Sequence, residues 1–578
     1  MGGRCHNVIG VFVKTTVRRR GDRSYTYLSL VEAVRVNGKN THKTLLRLGE
    51  VSHLATSGQL DRIIAALSSH ATGSWIDSAS LLANGAPGLG GVAAVDACCS
   101  RLNLDELFSS IGDARGSKNL ADTVLVMLAN RLLAPSSKRR AILEWLDDVV
   151  LPDGVTPPSL DQCYRALDVL FEEKERIETH IYARVTDLLN LDLRLCCYDL
   201  TSTFFEGEVV PSPRFPSRAF GYSRDHRGDR PQVMIGLLVT SDGIPIAHYV
   251  FDGNTKDSTT LPEVMTDLQA RFGVGRIALV ADRGLISEEN LALVQANDFD
   301  HVLATRLHRD PTVAAVLEIA ARKDALFVAV GDDGTKATEI VYESRRYVVV
   351  DSPRRHVRDD ARRQELLAAT EDGLIALAER VRKGRLVDPA KIGAAADRIL
   401  RDSGVSRCFS TKISPGVFTW DYDEKAMDYE EKLLAGRYVI TTSLDKKAAS
   451  TAQVVAHYKA LQSVERRFRV LKDFLALRPV FHYTEKRVRG HVAICVLAAV
   501  IEAVMALDLA RAKITDPDLE GQQLSARRAL RELERIRLIR FVDSNGEERQ
   551  VVTRPNPLQA SILTAFGVET SAWRSRVA

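Results

Sequence analysis

Leu193-Arg-Leu-Cys-Cys-Tyr-Asp-Leu-Thr-Ser-Thr203 reads as a strand, rich in apolar and β-branched residues, with Asp199 set in its middle. A carboxylate carried into a core is costly unless it is paired or bound to a metal. Two more acids stand in comparable places. Asp282 closes the strand-like run Arg276-Ile-Ala-Leu-Val-Ala-Asp282, and Glu465 lies inside an amphipathic helix. Three acids on core-facing elements are most economically explained by shared divalent cations acting on a phosphodiester.

Working outward, strands are expected at Gln232–Thr240 and Ile244–Phe251, joined through the hairpin signal Ser241-Asp242-Gly243. A helix is expected at Leu261–Phe272, followed by the strand ending at Asp282, a helix capped by Ser287, and a strand at His301–Leu307. Three strands in a meander, then helix, strand, helix and strand, resembles the order of a ribonuclease H-like core. The expected fold class is therefore α/β, a mixed sheet with helices. The helix that would carry the last acid is delayed by residues 308–436, too long and too patterned for a loop, so an inserted subdomain is expected there. It holds strand-like pieces at Ala325–Val330 and Glu339–Val350 and a highly charged helix near Asp359–Lys383. Strand Arg437–Thr442 returns the chain to the sheet, and Ser450 with Gln453 forms a capping box before the helix of Glu465.

On that helix, Thr451–Leu475, the residues Val454, Leu461, Val464, Phe468, Leu471 and Leu475 fall along one side at 3.6-residue spacing. Tyr458, Glu465 and Lys472, spaced by seven, lie on or beside that stripe, while Lys459, Arg466 and Arg467 are expected to face away. Polar residues on an apolar seam concentrate at functional sites. The plainer reading is a surface pair of Glu465 with Lys472 or Arg469.

Composition narrows the class. With 45% hydrophobic and 27% charged residues the chain is ordinary for a globular protein, and 578 residues allow roughly three to five domains. Its eight cysteines include the adjacent pairs Cys98-Cys99 and Cys196-Cys197 and no Cys-x-x-Cys, which speaks against a zinc ribbon or a disulfide framework and for a reducing compartment. The apolar run Val492–Ile501 is too short to span a bilayer and stops at Glu502, so it reads as a buried helix and no membrane partner is expected. The chain nets +4, yet residues 1–50 alone hold ten Lys and Arg against three Asp and Glu. A basic arm on a near-neutral body suggests an anionic polymer, the alternative being a solvated sheet face. Alternation over residues 8–48, with turns at Arg20-Gly21-Asp22 and Asn37-Gly38, predicts that this arm is a three-stranded antiparallel sheet. Helical periodicity dominates from about residue 93 to 190, as in Leu120–Leu133 and Gln162–Leu189.

Several motifs together resemble the bacterial insertion-sequence DDE transposases, in the branch marked by a Tyr-Arg-Glu-Lys helix. They are Tyr198-Asp199-Leu-Thr-Ser-Thr203, Ala281-Asp282-Arg283-Gly284-Leu285, and Tyr458, Glu465 and Lys472. The basic loop Phe220–Gln232, leading into Gly243-Ile-Pro-Ile246 and Gly253-Asn254, belongs with them. The resemblance covers about 130–500 and departs at Leu461, where the branch has an arginine. It implies that Asp199, Asp282 and Glu465 are catalytic and hold two Mg²⁺ or Mn²⁺ ions, one activating water or a 3′-hydroxyl, the other stabilising the leaving oxygen. It further implies DNA contacts from Tyr458 and Lys472, flanked by Arg466 and Arg469. Arg224, Arg227 and Arg230, with Arg214 and Arg218, would grip phosphates beside the site, and the Arg18, Arg19 and Arg20 cluster would do so on the arm.

The expected division is a basic β arm with a helix (1–84), a helical DNA-end-binding region (92–190), a split catalytic core (191–307 and 437–490) around the insertion (308–436), and C-terminal helices (491–578) assigned to pairing two subunits. The activity implied is cut-and-paste transposition: binding of terminal inverted repeats, metal-dependent cleavage and strand transfer into target DNA. The partner is double-stranded DNA, the assembly on it a homodimer, and the location the bacterial cytoplasm, at the nucleoid when DNA-bound. The competing readings are a metal-dependent nuclease on the same core and a catalytically silent DNA-binding derivative. A dehalogenase-type phosphatase is disfavoured because Thr201 stands where its second aspartate belongs, and no phosphate-binding Gly-rich loop is present.

Overall fold

The computed structural model describes residues 8–36, 39–68, 70, 82–189, 195–206, 217–272, 278–281, 288–297, 299–305, 311–322, 326–429, 433–542, 548–571 and 573. Asp282, Ser287, Arg214 and the Asn37-Gly38 turn, all singled out in the sequence, lie outside the described residues. The chain divides into two compact units, Met1–Gly85 with Arg540–Arg549, and Ala86–Ile539 with Gln550–Ala578.

In the first unit, β1 (Val8–Arg20), β2 (Arg23–Val36) and β3 (Lys39–Glu50) form an antiparallel sheet in that order. The Arg20-Gly21-Asp22 turn closes it as expected, with Gly21 in the left-handed region that only glycine adopts without strain. Two helices, α1 (Val51–Thr56) and α2 (Gln59–Ser68), follow, and then a two-residue strand β4 (Leu82–Ala83).

The second unit opens with six helices: α3 (Gly90–Arg101), α4 (Leu104–Arg115), α5 (Leu120–Leu133), α6 (Lys138–Leu143), α7 (Leu160–Glu172) and α8 (Lys174–Leu189). The periodic stretch Gln162–Leu189 is thus two helices, broken at Glu173. A nine-stranded mixed sheet follows, built from β5 (Leu195–Phe204), β6 (Gln232–Thr240), β7 (Pro245–Asp252), β8 (Ala278–Ala281), β9 (Asp300–Ala304), β10 (Val328–Ala329), β11 (Lys336–Tyr342), β12 (Arg345–Asp351) and β15 (Arg437–Thr442). The hairpin β13 (Phe409–Ser414) and β14 (Val417–Tyr422) stands apart from it. Across the sheet the order is β10-β11-β12-β15-β9-β8-β5-β6-β7, with β5, β8 and β9 parallel and the other neighbours antiparallel.

Helix α9 (Leu261–Phe272) links β7 to β8, and α10 (Glu288–Ala296) links β8 to β9. After β9 come α11 (Pro311–Ala320), the 30-residue α12 (Pro353–Arg382), α13 (Pro389–Ser403) and α14 (Glu424–Tyr429). Helices α12 and α13 bury Leu374, Leu377, Ile392 and Ala396 with Phe409 and Phe418 of the β13–β14 hairpin, a small core of their own. Beyond β15 run α15 (Thr451–Lys459), α16 (Leu461–Arg469) and α17 (Glu485–Arg511).

Alternation along β5 sorts the two faces. Leu195 and Cys197 join the larger core with α16 and α17, whereas Cys196, Tyr198 and Leu200 pack with α9 and α10. Two expectations are corrected here. The run Glu339–Val350 is not one strand but parts of β11 and β12, turning at Glu343 and Ser344, both at positive φ. That backbone favours Gly or Asn, so the turn carries no compositional mark. The expected helix Thr451–Leu475 is interrupted at Ala460 and ends in a π-helical turn, Val470–Phe474. A further helix spans Ala526–Leu533.

Helix α17 is long and apolar enough to cross a membrane, but most of it is buried inside the protein. Its acids are neutralised there: Asp508 pairs with Arg101 at 2.7 Å and Glu502 with Arg467. His491 on the same helix meets Lys138 Nζ at 3.2 Å, and that lysine is buried with no carboxylate in contact among the described residues. Burial, reinforced by nearby Arg131, pushes its pKa from the ordinary 10.5 down to about 7. The unfolded chain therefore binds the extra proton between those two values, so this group's destabilising effect is full below about pH 7 and fades as pH rises towards 10.5. Lys138→Met should raise stability at pH 7 by about 2–4 kcal/mol after allowing for the lost hydrogen bond, and flatten the alkaline rise. Denaturant unfolding of both proteins at pH 7 and pH 10 checks this; equal stability at pH 7 would show that the lysine is not penalised.

Candidate active site and nucleic-acid interface

Asp199 occupies the middle of β5, half-buried, on the face that receives α16. Its Oδ1 accepts a hydrogen bond from the Leu200 amide at 2.7 Å. Strand β8 lies parallel beside β5, and the register sets Tyr198 against Ala281. Those are the residues immediately before Asp199 and Asp282. Tyr198 is fully buried and its hydroxyl donates to Thr260 at 3.1 Å, which fixes the strand next to the acid.

Glu465 comes from α16, which packs on β5 and β6 through Leu461, Val464 and Phe468. Glu465 itself is exposed rather than on the buried seam, because it sits one residue beyond Val464 and turns about 100° away from it. It borders a groove of about 450 Å³ that also takes in Asp333, Ser352, Arg354, Arg355, Arg358, Tyr438, Tyr458, Lys459, Leu461 and Gln462. Of the two described acids, the groove includes Glu465 and not Asp199. Among the described residues no three His, Cys, Asp or Glu stand where they could hold a metal ion, and Asp282 is outside that set. In chemistry the proposed donors fit Mg²⁺ or Mn²⁺, since all are carboxylate oxygens.

Tyr458 lies against Tyr438 with ring centroids 5.5 Å apart. Burial, with Tyr458 adding to it, pushes the Tyr438 phenol up to about 12, so it keeps its proton and can donate a hydrogen bond. Lys472 pairs with Asp225 of the basic loop at 2.7 Å rather than with Glu465. Burial pushes its pKa down while Asp225 pulls it up. Arg478 binds the same Asp225, so the loop is tied to the end of the helix by two cations. Arg131 steadies that end as well, donating to the carbonyls of Leu475 and Ala476.

The loop arginines are similarly engaged. Arg224 pairs with Asp257 at 2.6 Å; Arg227 pairs with Asp229 at 2.8 Å and lies over the Phe204 ring; Arg230 reaches Glu206 at 3.5 Å. Arg218 is buried against Phe205. Arg466 and Arg469 are exposed and have no acidic partner among the described residues. Arg467, expected to face away, is buried and paired with Glu502, a correction that periodicity could not have supplied because it treats arginine as a surface residue. On the arm, Arg18, Arg19 and Arg20 are exposed at the end of β1, Arg18 over the Tyr27 ring.

The groove residues Arg354, Arg355, Arg358 and Tyr438 were missed. The available signal was Ser352-Pro353, a cap position followed by proline at the first helical position, which starts the charged helix six residues earlier than its charge pattern suggested.

Comparison with known proteins adds the following. Residues 12–78 match the IS1634 family transposase, N-terminal domain, and residues 203–501, just over half of the chain, match the Transposase DDE domain. Asp282 and Glu465 fall inside the second match, and Asp199 lies four residues before it. No curated protein matches the sequence. Among solved structures, a piggyBac transposase synaptic complex with hairpin DNA is similar at 10% identity and a TM-score of 0.31, over 74% of this chain and 70% of that one.

Proposed function

Because the chain belongs to the DDE transposases of insertion sequences, we propose that it binds the terminal inverted repeats of its element and performs cut-and-paste transposition. The observation that carries the reading is the pairing of β5 with β8 in a register that sets Tyr198 beside Ala281, with the helix of Glu465 packed on β5. The strand order β7-β6-β5-β8-β9, with α9 and α10 as its connections, supports a ribonuclease H-like core within the larger sheet.

On this reading Asp199, Asp282 and Glu465 form the catalytic set and would hold Mg²⁺ or Mn²⁺. When bound, such ions supply an activated oxygen nucleophile and stabilise the oxygen that leaves. The protein's own residues position the strand and neutralise phosphate charge. Arg466 and Arg469 on the exposed side of α16, and the Arg18–Arg20 cluster of the arm, are the cations best placed for phosphates. Lys472, Arg224, Arg227 and Arg230 reach DNA only by exchanging their present carboxylates for phosphates, so their part is smaller before DNA binds. Two copies acting on two ends, in the cytoplasm, complete the reading.

Incubating purified protein with duplexes of its element's ends, a target plasmid and Mg²⁺ tests it. Cleavage at the ends followed by joining to the plasmid is the expected result. Cleavage without joining would leave a nuclease, and binding without either reaction a silent DNA-binding protein.

A further inference from the structure

The groove beside Glu465 is lined by four cations, Arg354, Arg355, Arg358 and Lys459, against two carboxylates, Asp333 and Glu465. Two of the cations are already committed. Lys459 pairs with Asp333 at 3.4 Å, and Arg355 bonds Asp359 at 3.2 Å while lying 5.2 Å from the Tyr438 ring centroid. Arg354 is exposed and has no acidic partner among the described residues. Arg358 is 73% exposed and only 3.7 Å from Asp359, an attraction that solvent largely screens. Two guanidinium groups one helical turn apart thus face a groove floored by two tyrosines, at a volume typical of small-ligand sites. Guanidinium forks match phosphate oxygens in geometry and charge, and phenol rings add hydrogen-bonding hydroxyls or a flat apolar surface for a sugar or base. The first amides of α12 carry no side-chain cap, which adds donors of the same polarity beside Ser352. Leu461 of α16 borders the same groove and adds an apolar wall.

We propose that this groove is a phosphate clamp for the DNA strand engaged at the cleavage site, with Arg354 and Arg358 of α12 supplying its uncommitted positive charge. The inference rests on the transposase reading.

The test is the salt dependence of binding to a fluorescent duplex of the element's end, with wild type, Arg354→Gln/Arg358→Gln, and Arg362→Gln as a control. Arg362 is exposed on the same helix and does not border the groove. Losing two phosphate contacts should lower the log–log salt slope by about one to two and weaken binding several-fold near physiological salt, while the control keeps the wild-type slope. A structural role for these arginines would not change the slope. Should the double variant fail to fold, Arg354→Gln alone should still lose about one. A wild-type slope in the folded variants overturns the clamp while leaving the transposase reading intact. Failure of the wild-type protein to bind or cut the duplex overturns that reading, and the clamp with it.

Discussion

Asp199→Ala should abolish end cleavage, by on the order of 10³-fold or more, while leaving DNA affinity within about twofold of wild type. The two effects separate because ligands of a catalytic cation act on the reacting atoms, whereas affinity is spread over many phosphate contacts elsewhere. Folding should survive, since Asp199 is half-buried and the Leu200 amide that donates to its Oδ1 belongs to the next residue of the same strand. The same loss is expected for Glu465→Ala, at still less risk to stability because that side chain is exposed. Asp282→Ala should follow them. Single-turnover cleavage of labelled ends, beside a binding titration, reads both quantities. Near wild-type cutting by any one of the three would remove that residue from the catalytic set.

The second large effect concerns Arg467, two residues beyond Glu465. Its guanidinium and the Glu502 carboxylate are both almost wholly buried, one on α16 and the other on α17, and they contact each other directly. Arg467→Leu would leave Glu502 charged and alone in a low-dielectric interior, at a cost of about 3–5 kcal/mol. Arg467→Leu with Glu502→Leu removes both charges and should recover most of that loss, since replacing a whole buried pair by apolar groups is often close to neutral. Thermal or urea unfolding of the two variants decides it. Equal destabilisation of both would mean that packing, not the stranded charge, sets the cost. Cleavage by the double variant then shows whether the pair also fixes the pitch of α16 beneath Glu465.

What the sequence made legible follows from where periodicity is strong. Gln232–Thr240, Arg437–Thr442, Leu120–Leu133 and Leu261–Phe272 are buried on one or both faces, and their apolar patterns give their bounds to the residue. The hairpin at Glu343–Ser344 was hidden because residues of no turn character take left-handed conformations there, held by the ladder on either side. Arg467 was hidden for the opposite reason: its partner lies 35 residues away on another helix, and no local pattern announces a buried ion pair. The candidate acids were visible one by one, as charges in apolar settings. The groove beside Glu465 was not, because it is assembled from 333, 352–358, 438 and 458–465, which only the folded sheet brings together.

Strand β15 has a consequence for how the protein comes off the ribosome. It lies between β9 and β12, pairing Ile440 with Ala304 on one side and with Val348 on the other. Until Arg437–Thr442 has been translated, the strands already made carry two unfilled edges, and Glu465 does not yet exist. Such edges recruit other strands, so a nascent or prematurely terminated chain is exposed to aggregation until its central seam is sewn shut. The same order has a second effect: a product truncated anywhere before residue 442 has neither a complete sheet nor Glu465, and so, on the catalytic set proposed above, should not cut DNA.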